Sequence, residues 1–435
     1  MSVGTNSIES RSHSHRNRGP QRDRAASSNH RSPAKPRNCD ASRHARSAKT
    51  DAVKFALNCT TNVMGGAVQV CAELITQFTW NLAAADVEWY FCLSPVIAEA
   101  LESRGVRVSD LNHCIVSSSP AKDRSARRQL ARLVRQASSD AVFTVFGPAY
   151  VRFDRPHLLG VADGWVTHST RLAYSSLPTV AAQLKMLGTC CYKGLWYRQA
   201  DRWIVEAPVA RHGLSKRWRV PLEAIEVVPN NCASNYLDAA ATKCHSTDDV
   251  RFLTLSAAYP HKNLELIPHI AAALRAQRPN RRFEFRLTLP HDNPAWQRVA
   301  ALAEKLGVAD SVVNLGVVKV GDGPAAYQQC DICFLPTLLE TFTAVYPEAM
   351  AMQRPIVTTD LAFAHDICGD AAAFFTPKDA QSAATAILRL VDDPNYASQL
   401  VERGLQRLTS FLSPRDRAQR AIEILTDMVS PQGAT

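Results

Sequence analysis

The sequence predicts two α/β domains of similar size, each a parallel sheet with flanking helices, after a basic N-terminal extension. Three observations carry that expectation. Apolar strand-like runs alternate with helical patterns from residue 53 to beyond residue 376. A polar stretch from Asn230 to Asp249 divides the alternation into two series. Residues 1–50 lack the pattern altogether. Strands alternating with helices imply parallel sheets, and 435 residues suit two ordinary domains.

The first series opens with VKFALNC (53–59), a buried-strand run. Gly65 and Gly66 follow, and then Val68, Cys71, Leu74, Ile75 and Phe78 recur at helical spacing. Further strand runs are VEWYFCLS (87–94), HCIVSS (113–118), AVFTVF (141–146) and HLLGVA (157–162). A long helix is expected from Thr179 to Arg198, then strands RWIVEA (202–207) and EVVP (226–229). The second series places strands at RFLTLS (251–256), FEFRLTL (283–289), VVNLG (312–316), ICFLP (332–336), PIVTT (355–359) and AAFFT (372–376). Helical segments include 264–277 and 295–307. The expected domains are 51–235 and 236–412. Residues 413–435 are read as a C-terminal helix returning to the first domain.

Composition narrows the function classes. Residues 1–50 hold nine Arg and two Lys against Glu9, Asp23 and Asp40, so 11 − 3 = +8 of the net +10 lies there. The remaining 10 − 8 = +2 leaves residues 51–435 nearly neutral, which argues against a nucleic-acid binder. The extension has almost no large apolar residue and is expected to be disordered. It reads either as an arm for an anionic partner or as a solvated segment without one. No apolar run is long enough to cross a bilayer, and no secretory signal is recognised, so a cytoplasmic location is expected. The twelve cysteines are then read as reduced thiols. Cys330 and Cys333 form a CxxC without a matching pair, so no metal site is expected. The Asn58-Cys-Thr sequon is read as accidental.

The chemistry concentrates in PTLLETFTAVYPEAMAMQRPIVTTD (336–360). A buried strand ends at Pro336, and a helix is expected to start near Pro347. Glu340 lies in the loop and Glu348 in the first helical turn. Free amides there suit phosphate, whereas carboxylates suit sugar hydroxyls. Together they suggest a nucleotide sugar. The competing reading makes Glu348 a helix-dipole acid and Glu340 a solvated charge.

The E-x7-E spacing of Glu340 and Glu348, within ETF…EAMA…PIV, resembles the donor signature of the retaining family-4 glycosyltransferases of GT-B fold. LSAAYPHKNLELI (255–267) resembles that family's phosphate-binding segment. VVNLGVV…YQQCDICFLPT (312–337), GDAAAFFTPKD (369–379), ADRWIVEAPVARHGL…IEVVPNN (200–231) and NVMGGAVQV (62–70) resemble further landmarks in the family's order. The resemblance covers most of residues 53–425. It implies that Glu348 holds ribose hydroxyls and Glu340 contacts the donor sugar. It sets the amides of Thr341, Phe342 and Thr343 against sugar and phosphate, and gives Lys262 the departing diphosphate. No metal or other cofactor is implied, because Lys262 supplies the positive charge. Gly65 and Gly66 would let the backbone approach the donor, and Asp163 is the candidate catalytic residue from the first domain, with His157 second.

Two positions depart from the family pattern. Its usual arginine five residues before the lysine is Ala257 here, with His261 or an arginine of the other domain as possible replacements. The linker strand ends in Asn230-Asn231-Cys232. A membrane partner is suggested by AKDRSARRQLARLVRQ (121–136), with six basic residues against one Asp, and by RHGLSKRWR (211–219) with Trp218. A solvated charged face is the equal alternative. The expected activity is hexosyl transfer with retention from a nucleotide sugar to a saccharide or lipid-linked acceptor, in cell-surface polysaccharide biosynthesis. A nucleotide-sugar epimerase and a catalytically silent scaffold are the rivals.

Overall fold

The computed structural model describes residues 52–82, 86–239 and 249–430. The basic extension (1–50) and residues 240–248 of the expected linker lie outside them. The first lobe holds β1 (Val53–Asn58), β2 (Val87–Leu93), β3 (His113–Ile115), β4 (Ala141–Thr144), β5 (His157–Val161), β6 (Arg202–Val205) and β7 (Ile225–Val227). They form one sheet in the order β3-β2-β1-β4-β5-β6-β7, with every pairing parallel. The second lobe holds β8 (Asp249–Thr254), β9 (Arg282–Leu287), β10 (Val312–Asn314), β11 (Ile332–Leu335), β12 (Ile356–Thr359) and β13 (Ala372–Phe375). Its order is β10-β9-β8-β11-β12-β13, again parallel throughout.

These strands sit where the apolar runs placed them. Central strands covered by helices on both faces need apolar residues at consecutive positions rather than alternate ones. β4, β5, β11 and β12 are accordingly buried along their whole lengths. The runs end later than the strands do, because residues such as Val145 and Pro336 already belong to loops at the carboxyl edge. Asn58 of the sequon is a core residue, and its Nδ2 donates to Thr144 Oγ1 across β1 and β4 at 3.1 Å.

Each sheet reverses its strand order once. In the first lobe this happens between β1 and β4, in the second between β8 and β11. At such a point the two flanking loops diverge to opposite faces and leave a crevice beyond the strand ends.

The Pro414–Val429 helix packs on the first lobe. Ala418, Ala421, Ile424 and Leu425 join the cluster around Phe55, Leu57, Phe78 and Phe143. Its Arg417 lies 3.9 Å from Glu206, and both side chains are largely buried. Burial pushes the Glu206 carboxyl up to about 7, against the opposing pull of Arg417. The chain thus enters the first lobe, builds the second, and returns to complete the first core.

Leu425 is fully buried in that cluster. Leu425→Ala is expected to lower the unfolding free energy by about 2–5 kcal/mol, read from urea denaturation followed by circular dichroism.

Candidate functional site

Lys262 and Glu340 occupy the switch point of the second sheet. Lys262 ends the short Pro260–Lys262 turn in the segment after β8, and Glu340 lies in the loop after β11. The two loops are sewn together. Leu338 N donates to His261 O at 2.7 Å and Asn263 Nδ2 donates to Pro336 O at 3.3 Å, while Thr359 Oγ1 at the end of β12 donates to Thr337 O at 2.6 Å. Lys262 Nζ pairs with Glu340 Oε1, and the same oxygen accepts from Thr337 Oγ1 at 3.0 Å. Their side chains are only 12% and 11% exposed, so this is a partly dehydrated ion pair. In such a place either charge without its partner is strongly unfavourable.

Among the described residues, none accepts a backbone hydrogen bond from the amides of Thr341, Phe342 or Thr343. Thr341 and Thr343 are nearly buried, and Phe342 packs edge-on against Phe411 at 5.6 Å. The Val345–Ala351 helix follows, starting two residues before the expected Pro347. Glu348 lies in its first turn, half-buried. Glu348 Oε2 accepts from Tyr327 Oη at 3.3 Å, and Tyr236 also hydrogen-bonds the carboxylate. Burial pushes Glu348 up to about 7, and the two tyrosine hydroxyls oppose that rise.

Tyr236 belongs to the stretch read as a linker (230–249). It sits in a short helix, Ser234–Leu237, is 3% exposed, and meets Tyr327 edge-on at 5.9 Å.

The first lobe meets this site through the residues after β5. Asp163 caps the Gly164–Thr167 helix. Its Oδ1 accepts from Val166 N at 3.3 Å, and its Oδ2 accepts from Lys193 Nζ at 2.8 Å. The carboxylate is therefore already engaged at both oxygens. A Cβ on Gly164 would lie 3.1 Å from Leu339, so a larger side chain there would push on the Glu340 loop. His168 Nε2 donates to the Glu340 carbonyl at 2.8 Å, and its Nδ1 meets Thr167 Oγ1 at 2.8 Å. Burial holds His168 down at about 4, so it is neutral near pH 7 with its proton on Nε2. Trp165 meets His261 edge-on at 5.7 Å.

Several candidates fall elsewhere. His261 stacks on Tyr259, and burial holds it at about 4, so it carries no positive charge near pH 7 in this structure. His157 begins β5, at the strand end opposite Asp163. It is 3% exposed and shares a hydrogen bond with Thr144 Oγ1 at 2.9 Å. That makes it a packed histidine. Gly65 has φ +65°, the left-handed region that favours glycine, and it precedes the Gly66–Thr76 helix beyond the end of β1. A Cβ at Gly65 or Gly66 would meet nothing within 4 Å, so the loop is open on that side. Trp218 is not a surface anchor: it packs on Gly194 and donates from Nε1 to Val166 O at 3.0 Å. Cys330 and Cys333 are buried thiols. Among the described residues, no group of three or more His, Cys, Asp or Glu side chains could hold a metal ion.

Residues 249–393 match the family model described as Glycosyl transferases group 1. The chain is similar to a glycosyltransferase from Rickettsia africae, at 14% identity with a TM-score of 0.65, over 88% of this chain and all of that one. It is also similar to Anabaena HepE solved with UDP and glucose, at 14% identity and TM-score 0.61, over 86% and 100% of the two chains. The fold is GT-B. A curated relative, the MMP α-(1→4)-mannosyltransferase of Mycolicibacterium hassiacum, is 25% identical over 174 residues. That segment spans 39% of this chain and 41% of the relative.

Within this GT-B frame, four contributors escaped the sequence reading: His168, Thr337, Tyr236 and Lys193. Thr337 closes the quoted ICFLPT run and was legible as a loop residue. The other three reach the site only through the seam between lobes or the fold of the connection, and no spacing announces them.

His157 provides a pH signature. Its pKa is about 4 when folded, against about 6.5 when unfolded. The unfolded chain binds the extra proton between these values, so stability present above pH 6.5 is lost as pH falls toward 4. The contribution is about 3 kcal/mol. Melting curves of His157→Gln are expected to depend less on pH over that window than those of the parent.

Proposed function

We propose that this chain transfers a hexosyl unit from a nucleotide sugar to a saccharide or lipid-linked acceptor, with retention and without a metal ion. The observation that carries the reading is Lys262 beside Glu340 at the switch point of the second sheet, with Glu348 one loop away. A diphosphate entering the crevice would compete with Glu340 for the ammonium and meet the amides of Thr341–Thr343. When the bond from the anomeric carbon to the diphosphate oxygen breaks, the electron pair leaves with that oxygen. A fixed cation stabilises that charge more than it stabilises the ground state. Displaced from Lys262, Glu340 can accept from sugar hydroxyls, and Glu348 from those of the ribose.

The mannosyltransferase relative and the UDP-bound HepE structure support a hexose donor on a nucleoside diphosphate. The place of the reaction in cell-surface polysaccharide synthesis, on the cytoplasmic side, belongs to the same proposal. A second reading, a GT-B scaffold that binds without turnover, is favoured by Ala257 together with the neutralised Lys262. The two separate on whether bound donor releases nucleotide when acceptor is present.

A thermal-shift screen against UDP-, GDP- and ADP-sugars is the direct test. One donor class is expected to raise the melting temperature, in EDTA as well as in magnesium, and Glu348→Ala is expected to abolish the rise. Lys262→Ala is expected to cut turnover by at least about 100-fold, the scale of losing one stabilising group at a developing anion. No stabilisation by any donor, or turnover unchanged in Lys262→Ala, sinks the reading.

Glu348 also sets a pH dependence. Its folded pKa is about 7, and only the ionised form accepts at both oxygens from a ribose. Nucleotide affinity is expected to fall about tenfold between pH 8 and pH 6, measured by calorimetry. Glu348→Gln is expected to bind more weakly, with that pH dependence removed.

A further inference from the structure

The Val180–Tyr197 helix of the first lobe carries an apolar stripe that nothing in the fold covers. Val180, Leu184, Leu187 and Leu195 are 70%, 63%, 50% and 57% exposed, and Cys191 between them is exposed too. Their spacing of four, three, four and four residues sets them on one face. The stripe runs about 22 Å along the helix axis. The adjoining face is anchored, with Cys190 and Tyr197 buried in the cluster around Trp203 and Leu214. Four aliphatic side chains in line on one rigid helix form a contiguous patch, unlike the scattered exposed residues of an ordinary surface.

Charge indicates what covers it. From Gly164 to Ala200 the chain contains no Asp or Glu, whereas Lys185 and Lys193 lie on the helix itself. Beside it stands the Arg124–Gln136 helix, buried through Ala126, Leu130 and Val134. Arg124, Arg128 and Arg132, spaced by four, are exposed on its outer face, and among the described residues none of them makes an ion pair. Arg127 joins the two helices. It donates to Tyr192 Oη at 3.1 Å and lies over the Tyr150 and Trp196 rings at 5.1 and 5.6 Å.

We infer that this stripe and arginine row together form a docking surface for an anionic lipid bilayer. The aliphatic side chains enter the headgroup–acyl boundary and the guanidinium groups meet lipid phosphates. Among the described residues no helix is long and apolar enough to cross a membrane, so the contact is in-plane. A second copy of this chain fits less well, because facing copies would bring unpaired arginines together. The stripe helix also reaches the candidate site: its Lys193 holds Asp163, which caps the segment touching Glu340. An acceptor carried on lipid would arrive beside that end. This last step rests on the transferase reading, while the docking surface does not.

The test is flotation of the full chain with phosphatidylcholine vesicles, with and without phosphatidylglycerol. Capture by the anionic vesicles is expected. Leu184→Glu with Leu187→Glu, and separately Arg128→Glu with Arg132→Glu, are each expected to reduce capture at least about tenfold with an unchanged melting temperature. All proteins keep the basic extension, so the difference reports the two helices. No capture of the parent overturns the inference, as does capture of both variants at the level of the parent. A leucine variant that changes only the sedimentation coefficient would assign the stripe to a second copy instead. Turnover on a soluble acceptor, followed in parallel, separates the readings: loss of capture with turnover intact affects docking alone, and the converse affects transfer alone.

Discussion

The Lys262–Glu340 ion pair is the constraint around which the candidate site is arranged. It exists because β8 and β11 are neighbours in space though some 80 residues apart in the chain. Both loops leave the carboxyl edge at the same crevice, and hydrogen bonds linking His261 and Asn263 to Pro336, Thr337 and Leu338 hold them in register. A cation and an anion this poorly hydrated stabilise each other only while both stay in place. The arrangement keeps a charged lysine at a position where, alone, it would be unfavourable. In the proposed reaction the leaving diphosphate takes over the role that Glu340 plays toward Lys262.

The seam between lobes bears on the same pair. His168, neutral because it is buried, spends its one ring proton on the Glu340 carbonyl. Asp163, held by Lys193 and by the Val166 amide, caps the short helix that delivers His168. The first lobe thereby positions the main chain of the Glu340 loop, with both carboxylate oxygens of Asp163 engaged within the first lobe. Asp163 acts in this arrangement as an anchor. The returning Pro414–Val429 helix adds a second tie by closing the first core with residues that follow the second lobe.

Glu348 shows how burial and hydrogen bonding compete. Leaving water raises its pKa, and two tyrosine hydroxyls partly restore the stability of the anion. One of them, Tyr236, comes from the connection between lobes, so the protonation of Glu348 depends on how that connection folds. His261, which lies near Ala257, is held uncharged near neutrality by burial.

The sequence by itself determined the two parallel sheets, most strand positions, and the grouping of Lys262, Glu340 and Glu348 in one lobe. Local physics sets these features: uninterrupted apolar runs must be doubly covered strands, and the E-x7-E spacing lies within a single loop and helix start. Tertiary structure alone decided the partners. His157 and His168 are both histidines in one stretch of the first lobe, yet one begins a strand in the core and the other reaches across to Glu340. Trp218, legible as a surface aromatic beside basic residues, turns inward because Gly194 leaves room for its ring. The Val180–Tyr197 helix was legible as a helix, but its apolar side could be assigned to core or surface only once neighbouring elements had claimed the adjoining face. Burial is a property of what packs against a residue, and in this fold those neighbours come from far along the chain.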